Sequence, residues 1–136
     1  MIIDGTNLVL GRLASFAAKK ALEGEEVIIY NCEKVVVSAT QDFLQAHYKA
    51  RIDRGHPYHG PFFPKMADRI VRRTIRGMLP YKKERGATAY KKIQCYIGIP
   101  IIAQNKKPDT VKIADASKFK TLNYLKVGEI SKHLGK

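Results

Sequence analysis

The sequence predicts a single domain of the α/β class. Its 136 residues fit one compact domain, because such domains commonly hold roughly 100 to 150 residues. A short apolar strand, Met1 to Ile3, is followed by a helical pattern and then by a continuous apolar run, Val27 to Asn31. Such runs are typical of buried parallel strands, and the β-α-β order implies a right-handed crossover between the two.

The helix of this first unit has clear ends. After a loop from Asp4 to Leu10, a helix is predicted from about Gly11 to Glu23, and Gly24 can terminate it. Its repeated alanines allow a close approach to a sheet. Val35 to Val37 is then predicted as a third short strand.

A second helix and a long loop come next. Ser38 or Thr40 can cap a helix that runs to about Ala50. The stretch from Arg51 to Pro64 is rich in Pro and Gly and lacks a regular period, so it is predicted as a long loop. Pro64 suits the first turn of a further helix, which continues to Met78 and stops before Pro80.

The C-terminal part predicts shorter elements. A short helix is expected near Gly86 to Lys92, and Ile93 to Ile97 is predicted as a strand ended by Gly98. Asn105 to Asp109 forms a turn. Thr121 to Val127 is a last strand or a loop, and Val127 to Leu134 is predicted as a terminal helix.

The positive charge is concentrated in the middle of the chain. The formal net charge is +13, from 25 Lys and Arg against 12 Asp and Glu. Residues 1–46 have a net charge of −2, residues 47–92 of +10 and residues 93–136 of +5. A solubilising surface usually mixes both signs, whereas a region of one sign favours a polyanionic partner. Nucleic acid is the first candidate partner and an anionic membrane the second.

The helix predicted from Pro64 to Met78 has the sharpest functional signal. At about 100° per residue, its cations fall within one arc of roughly 100° and its apolar residues on the other side. We call these cations the basic stripe: Lys65, Arg69, Arg72, Arg73 and Arg76. The opposite side holds Ala67, Ile70, Val71, Thr74, Ile75 and Met78. The one acidic residue nearby, Asp68, lies at the edge of the stripe. Ion pairs one helical turn apart therefore do not neutralise the stripe, which needs an external anion.

Cations and flat side chains around this helix extend the predicted site. Lys and Arg meet phosphates, and aromatic or histidine rings stack on unpaired bases, so the mixture suits RNA. A solvated basic face is the alternative for an isolated helix, but the flanking residues favour binding. The predicted RNA-binding residues are Arg51, Arg54, His56, His59, Lys65, Arg69, Arg72, Arg73, Arg76, Lys82, Lys83, Arg85, Lys91 and Lys92.

The predicted mode is recognition of RNA backbone and shape. The chain lacks a recognition-helix pair, a zinc finger and a basic zipper, so DNA is not an expected partner. It also lacks the aromatic pair and the GXXG loop of modular RNA-binding domains.

Catalytic and metal sites have little support. Gly5 and Gly11 match neither a dinucleotide nor a P-loop fingerprint. Cys32 and Cys95 lie in predicted strands without a C-x-x-C pair, so zinc binding together with the loop histidines is a weak alternative. Acidic residues are scarce in the basic third, and no acid–base pair is evident. We expect no enzyme activity, no catalytic residue, no metal and no cofactor.

The chain is expected to be cytoplasmic. It begins MIIDG, without the pattern of a signal peptide. The longest apolar run, Ile97 to Ala103, is far shorter than the roughly 20 residues that span a bilayer. Two cysteines within apolar runs fit a reducing compartment. No membrane partner is expected.

Three stretches resemble a known family. GPFFPKMADRIVRRTIRGMLPYKKERG at Gly60 to Gly86, YIGIP at Tyr96 to Pro100 and the opening IIDGTNLVLGRLAS at Ile2 to Ser15 are similar to the large-subunit ribosomal protein L-thirteen family. The resemblance covers nearly the whole chain. The short chain and the HPYHGPFF loop look like the archaeal type of that family.

The resemblance implies a three-layer α/β/α single domain, residues 1–136, with a four-stranded, mainly parallel sheet and a basic loop-helix region at 47–92. It implies a ribosome-associated structural protein that binds and stabilises large-subunit (23S-type) ribosomal RNA during early assembly, beside neighbouring large-subunit ribosomal proteins. The family motif RGMLP at Arg76 to Pro80 implies an RNA-contact role for Arg76 and the adjacent Arg72 and Arg73. An extraribosomal RNA-binding regulator and a small α/β enzyme acting on a polyanionic substrate stay open as alternatives.

Overall fold

Short strands alternate with helices along the computed structural model, which describes residues 1–135. The elements in chain order are β1 (Ile2–Asp4), α1 (Leu10–Leu22), β2 (Val27–Tyr30), β3 (Val36–Val37), α2 (Gln41–Asp53), α3 (Ala67–Gly77), α4 (Glu84–Lys91), β4 (Ile93–Cys95), β5 (Leu125–Lys126) and α5 (Val127–His133). Within these residues, none of the helices combines the length and the apolar character that crossing a bilayer requires. The mixed α/β class predicted from the sequence is confirmed.

The central sheet has three parallel strands in the order β1-β2-β4. β1 and β2, which α1 connects along the chain, pair in parallel, as the β-α-β pattern predicted. Ile29 is the register partner of both Ile3 and Cys95. The four-stranded sheet implied by the resemblance is not observed in residues 1–135. β3 pairs with β5 in an antiparallel sheet of two strands, while the Val36 N–H donates to the Leu8 carbonyl at 2.8 Å. The backbone of β3 therefore hydrogen-bonds to β5 and to the loop at Leu8, and β3 does not join the parallel sheet.

The hydrophobic core lies on one face of the parallel sheet. Ile3, Ile29 and Ile93 are fully buried and form one cluster with the apolar sides of α1 and α3. Register places Ile2, Ile28 and Gln94 together on the other face, where the two isoleucines are only partly buried and Gln94 is exposed. The three-layer arrangement implied by the resemblance stays a prediction.

The outer edge of β1 is covered by a single residue of the C-terminal segment. Asp109 makes an isolated parallel bridge with Ile3, and its backbone N–H donates to the Ile2 carbonyl at 2.7 Å. The Asp109 Oδ2 atom accepts a hydrogen bond from the Ile2 N–H at 3.3 Å. The pairing is an isolated bridge and does not extend into a regular strand.

Several element boundaries differ from the predicted ones. α2 continues to Asp53, so Arg51 belongs to a helix and not to the following loop. α3 begins at Ala67 and not at Pro64, because the residues before it are extended and the Lys65 carbonyl accepts a hydrogen bond from the Ser131 hydroxyl at 2.8 Å. β4 ends at Cys95, two residues before the predicted end. Helix α1 ends as predicted, with Gly24 at φ +100° directly after its C-cap.

A polar cluster joins the ends of β1 and β2. Asn31 is buried in the left-handed region at φ 54°, and its side-chain amide donates to Asp4 Oδ1 at 3.0 Å. Thr6 donates to the same oxygen from its hydroxyl at 2.7 Å. Burial alone would raise the pKa of Asp4, but the hydrogen bonds from Asn31 and Thr6 lower it below its ordinary value. The carboxylate is therefore held ionised at the end of the sheet.

Replacing Asn31 by glycine is expected to destabilise the protein by about 1 kcal/mol at neutral pH, because the side-chain hydrogen bonds are lost while positive φ remains permitted. A carboxyl group with a lowered pKa contributes stability above its unfolded pKa and loses it as the pH falls through the folded pKa. The difference in free energy of unfolding should therefore shrink when denaturant unfolding is repeated below the ordinary pKa of 3.8.

Asn7 provides the matched control for this substitution. It also has a positive φ, 56°, but its side chain makes no hydrogen bond within residues 1–135. Asn7→Gly should leave the free energy of unfolding nearly unchanged at both pH values. An equal loss in the two variants, or a loss for Asn31→Gly that does not depend on pH, would contradict the role assigned to the Asn31 amide.

Candidate nucleic-acid interface

Helix α3 separates a packed face from a cationic one, as its periodicity predicted, except that Met78 follows the helix and is exposed. Ala67, Ile70, Val71 and Ile75 are buried in the core, while its four arginines remain fully or partly exposed. In residues 1–135 the recorded ion pairs join Lys20 to Glu23 and Glu25, both far from α3 in the sequence. The positive charge of α3 is therefore not neutralised by an ion pair within the described chain.

Two of these arginines are supported by tyrosines from the following segment. The Arg72 guanidinium carbon lies 4.4 Å from the ring centroid of Tyr90, and that of Arg76 lies 4.6 Å from the ring centroid of Tyr81. Stacking on an aromatic face favours a cation and restricts its rotamers, so less conformational entropy is lost on binding an anion. Neither tyrosine was predicted from the sequence, because helical periodicity does not indicate which residue of another segment an arginine meets.

A surface cavity of about 410 Å³ brings part of the predicted loop against α3. Arg51, Arg54 and Arg73 line it together with Phe62 and Phe63. The Arg51 guanidinium carbon lies 5.5 Å from the Phe63 ring centroid. Three cations from α2, the loop and α3 therefore surround one concave surface that also has one exposed ring, Phe62, and one partly buried ring, Phe63.

The tip of the loop closes on itself. His56 and Gly60 exchange backbone hydrogen bonds of 3.1 and 2.8 Å. The ring of His56 lies 5.3 Å from that of Tyr58 and 5.5 Å from that of His59, measured between centroids. All three side chains are exposed. Neither His56 nor His59 lines the cavity beside α3, so the structure places the predicted histidines in a separate exposed cluster.

A second cavity, of about 320 Å³, lies on the β4 side of α3. Arg69, Arg72 and Lys91 line it together with Asp68 and Tyr96. Lys91, at the end of α4, is thus brought next to the basic stripe, as the predicted site requires.

The remaining predicted cations are more dispersed. Lys65, Lys82 and Lys83 are exposed in the segments that precede α3 and α4. Arg85 lines a cavity with Lys19 of α1 and with Glu23, the C-cap of that helix, and the Lys92 ammonium donates to the Gly24 carbonyl at 3.1 Å. Arg85 and Lys92 therefore face α1, and Lys92 has a structural contact at the C-terminal end of that helix.

The two cysteines meet at the carboxyl end of the sheet. Cys32 is fully buried, and its thiol donates to the carbonyl of Ile29, the register partner of Cys95, at 3.7 Å. Contact with the Cys95 thiol, together with burial, raises the pKa of Cys32. A protonated thiol is a poor nucleophile and a poor metal ligand, and Cys32 is fully buried, so Cys32 acts as a core side chain.

Together, the fold and this site define a small basic α/β protein with an uncompensated cationic helix. Residues 1–101 match the family model described as Ribosomal protein L13. The chain belongs to this family, and the resemblance inferred from the GPFF–RGMLP and YIGIP stretches is confirmed. The family is a structural, non-enzymatic one, in agreement with the expectation of a non-catalytic chain.

Curated relatives from archaea match almost the full chain. The large ribosomal subunit protein uL13 of Methanopyrus kandleri is 42% identical, with 98% of this chain and 86% of the relative covered. The uL13 protein of Methanosarcina barkeri is 42% identical, with 98% of this chain and 96% of the relative covered. That of Archaeoglobus fulgidus is 38% identical, with 98% of this chain and 86% of the relative covered. These similarities agree with the archaeal type predicted from the loop and the chain length.

Proposed function

We propose that this chain is a structural constituent of the large ribosomal subunit that binds and stabilises its ribosomal RNA during early assembly. Family membership supports the ribosomal role. The observation that supports RNA binding most directly is that the arginines of α3 are neutralised by no ion pair in residues 1–135. Phosphates of RNA provide the missing negative charge.

The proposed contact surface consists of two cation-lined cavities on opposite sides of α3. Arg51, Arg54 and Arg73 lie around the first cavity, and Arg69, Arg72 and Lys91 lie around the second. Arg76, stacked on Tyr81, extends the surface toward Lys82 and Lys83. This arrangement suits several phosphates of a folded 23S-type RNA better than one small anion, because the cations are spread over a helix and its flanks. His56 and His59 are proposed to contact RNA from the tip of the loop.

Neighbouring ribosomal proteins are proposed to contact a different surface. Residues 93–105 contain no charged side chain, although charged residues make up 27% of the whole chain. Within this segment Ile97, Ile99, Ile101 and Ile102 are exposed, Ile101 by 85%. An uncharged apolar surface cannot pair with phosphates but gains free energy when another apolar surface covers it. The partner favoured here is an apolar surface of another protein of the subunit.

Sedimentation of a tagged form from lysate through a sucrose gradient tests the proposal. We expect the protein to migrate with large subunits and with full ribosomes in the cytoplasmic fraction, and to stay with large subunits when low magnesium separates the subunits. A photoreactive residue at position 101 should crosslink to protein, and one at position 73 should crosslink to RNA. A peak only at the top of the gradient would contradict the ribosomal role and favour the extraribosomal regulator.

A further inference from the structure

The first cavity, between α2, the loop and α3, combines cations with an exposed aromatic ring. Arg51, Arg54 and Arg73 line it, and no ion pair neutralises any of them within residues 1–135. Phe62 lines the same cavity and is 71% exposed. An exposed ring alone needs no ligand, but three unneutralised cations around it favour an anionic ligand that also has an apolar part.

The two neighbouring phenylalanines of this cavity have different surroundings. The ring of Phe63 is partly buried, and its centroid lies 5.9 Å from that of Tyr48 and 5.5 Å from the Arg51 guanidinium carbon. In the described part of the chain, neither another ring nor a cation lies over Phe62. Phe63 therefore belongs to the wall that holds Arg51, whereas the ring of Phe62 is free to contact a ligand.

The backbone before Phe62 fixes the position of its ring. Gly60 has φ +77°, and a Cβ atom there would lie 3.1 Å from both Cδ2 and Cε2 of Phe62. One edge of the ring therefore lies close to the bare backbone of Gly60, where a side chain would crowd it. A ring held in this way loses little conformational freedom when a flat ligand stacks on it.

An unpaired nucleotide of RNA fits these groups. Its phosphate supplies the negative charge for the arginines, and its base supplies a flat surface for Phe62, since unpaired bases commonly stack on aromatic side chains. A paired base is covered by its neighbours in the helical stack and offers no face to the ring. An apolar peptide would cover Phe62 but would leave the three guanidinium groups without a counter-charge.

The cavity has the size and the access that such a ligand needs. Its volume of about 410 Å³ lies in the range of small-molecule sites, roughly 300 to 1,000 Å³. Arg51 and Arg54 are exposed and Arg73 is partly exposed, so a ligand that enters from solvent reaches their guanidinium groups. Gly77 lines the α3 side, and a Cβ atom there would meet no atom within 4 Å. The space above this part of α3 is therefore open.

We propose that this cavity binds one unpaired nucleotide of RNA, with the base stacked on Phe62 and the phosphate on Arg54 and Arg73. The inference rests on the proposed RNA-binding function and adds to it a preference for unpaired over paired nucleotides. Arg51, held by Phe63, contacts the adjacent phosphate. The cavity selects an unpaired base of any identity, because every base has a face that can stack.

Binding of two short RNA duplexes that differ only in one bulged adenosine tests the proposal. We expect the full chain to bind the bulged duplex about tenfold more tightly, within the range found for stacking of one base on an aromatic ring. With ¹³C-labelled phenylalanine, the ring signals of Phe62 in NMR spectra should move upfield on addition of the bulged duplex only. Phe62→Leu should remove the preference, because leucine is apolar but has no aromatic face.

Phe43→Leu is the matched control, because it makes the same change at a ring of α2 that is 59% exposed and does not line the cavity. It should keep the preference, and a dispersed spectrum of each variant verifies its fold. Equal affinity for the two duplexes, unmoved Phe62 signals, or a preference that persists in Phe62→Leu or is equally lost in Phe43→Leu would overturn the nucleotide site. If the protein still binds ribosomal RNA in those cases, the proposed function stands, whereas loss of ribosomal RNA binding by the unaltered chain would overturn both.

Discussion

The double substitution Arg72→Glu, Arg76→Glu is expected to lower the affinity for ribosomal RNA by at least about 100-fold. Each arginine contributes a charge-assisted contact of about 1.5 to 3 kcal/mol, and each glutamate adds repulsion from the same phosphates. The plot of log affinity against log salt concentration should become less steep by roughly two units, because about 0.9 counterions are released per duplex phosphate contact. Filter binding of large-subunit RNA at several salt concentrations measures both quantities.

The double substitution Lys106→Glu, Lys107→Glu provides a control with the same change of charge. Both lysines are exposed, close to Asp109 at the β1 edge, whereas α3 contacts β4 at the opposite edge of the sheet. This control should retain most of the affinity. Arg72→Gln, Arg76→Gln should give an intermediate loss, because it removes the charge without adding repulsion. Unchanged RNA binding by the folded Glu variant would remove α3 from the proposed surface.

Replacing Gly86 by alanine is expected to destabilise the protein by about 2 to 3 kcal/mol. A Cβ atom at this position of α4 would overlap the Pro80 carbonyl group and would lie 2.8 Å from the Tyr81 nitrogen. These are backbone atoms, so the turn between α3 and α4 would have to move, and overpacking of this kind commonly costs about 1 to 3 kcal/mol or more. Denaturant unfolding followed by circular dichroism measures the effect.

Gly77 provides the matched control for this substitution. It is the last residue of α3, and a Cβ atom there would meet no atom within 4 Å. Gly77→Ala should be neutral or stabilising by up to about 1 kcal/mol, since alanine favours the helix. Because the turn from Pro80 also holds Tyr81 under Arg76, Gly86→Ala should weaken RNA binding as well. Equal stability of the two variants would contradict the close packing of α4 on this turn.

The elements with a strong periodic pattern were predicted well from the sequence. The apolar run Val27 to Asn31 and the alanine-rich helix before it gave a parallel pair joined by α1, as observed. The alternation of arginines and apolar residues in α3 predicted both its packed and its cationic face, because a helix of this length fixes which side each residue occupies. Terminal boundaries were less accurate, since Pro64 is compatible with both a first helical turn and extended chain.

Relations between distant residues could not be predicted in the same way. β3 and β5 have two residues each, too few for a pattern that would indicate their antiparallel pairing. Periodicity assigns a side chain to one side of its own helix but not to the neighbour that this side meets. The stacking of Arg72 on Tyr90 and the position of Lys92 against Gly24 were therefore not predicted. The dispersion of Arg85 and Lys92 away from α3 has the same cause.

Asp109 protects the outer edge of β1 in the free protein. An unpaired strand edge is a template on which another chain can add a strand and begin to aggregate. At β1 that template is occupied, because Asp109 uses the carbonyl of Ile2 through its backbone and the N–H of Ile2 through its side chain. The negative charge of the same carboxylate also disfavours an approaching strand. One acidic residue thus closes the β1 edge of the sheet to strand addition.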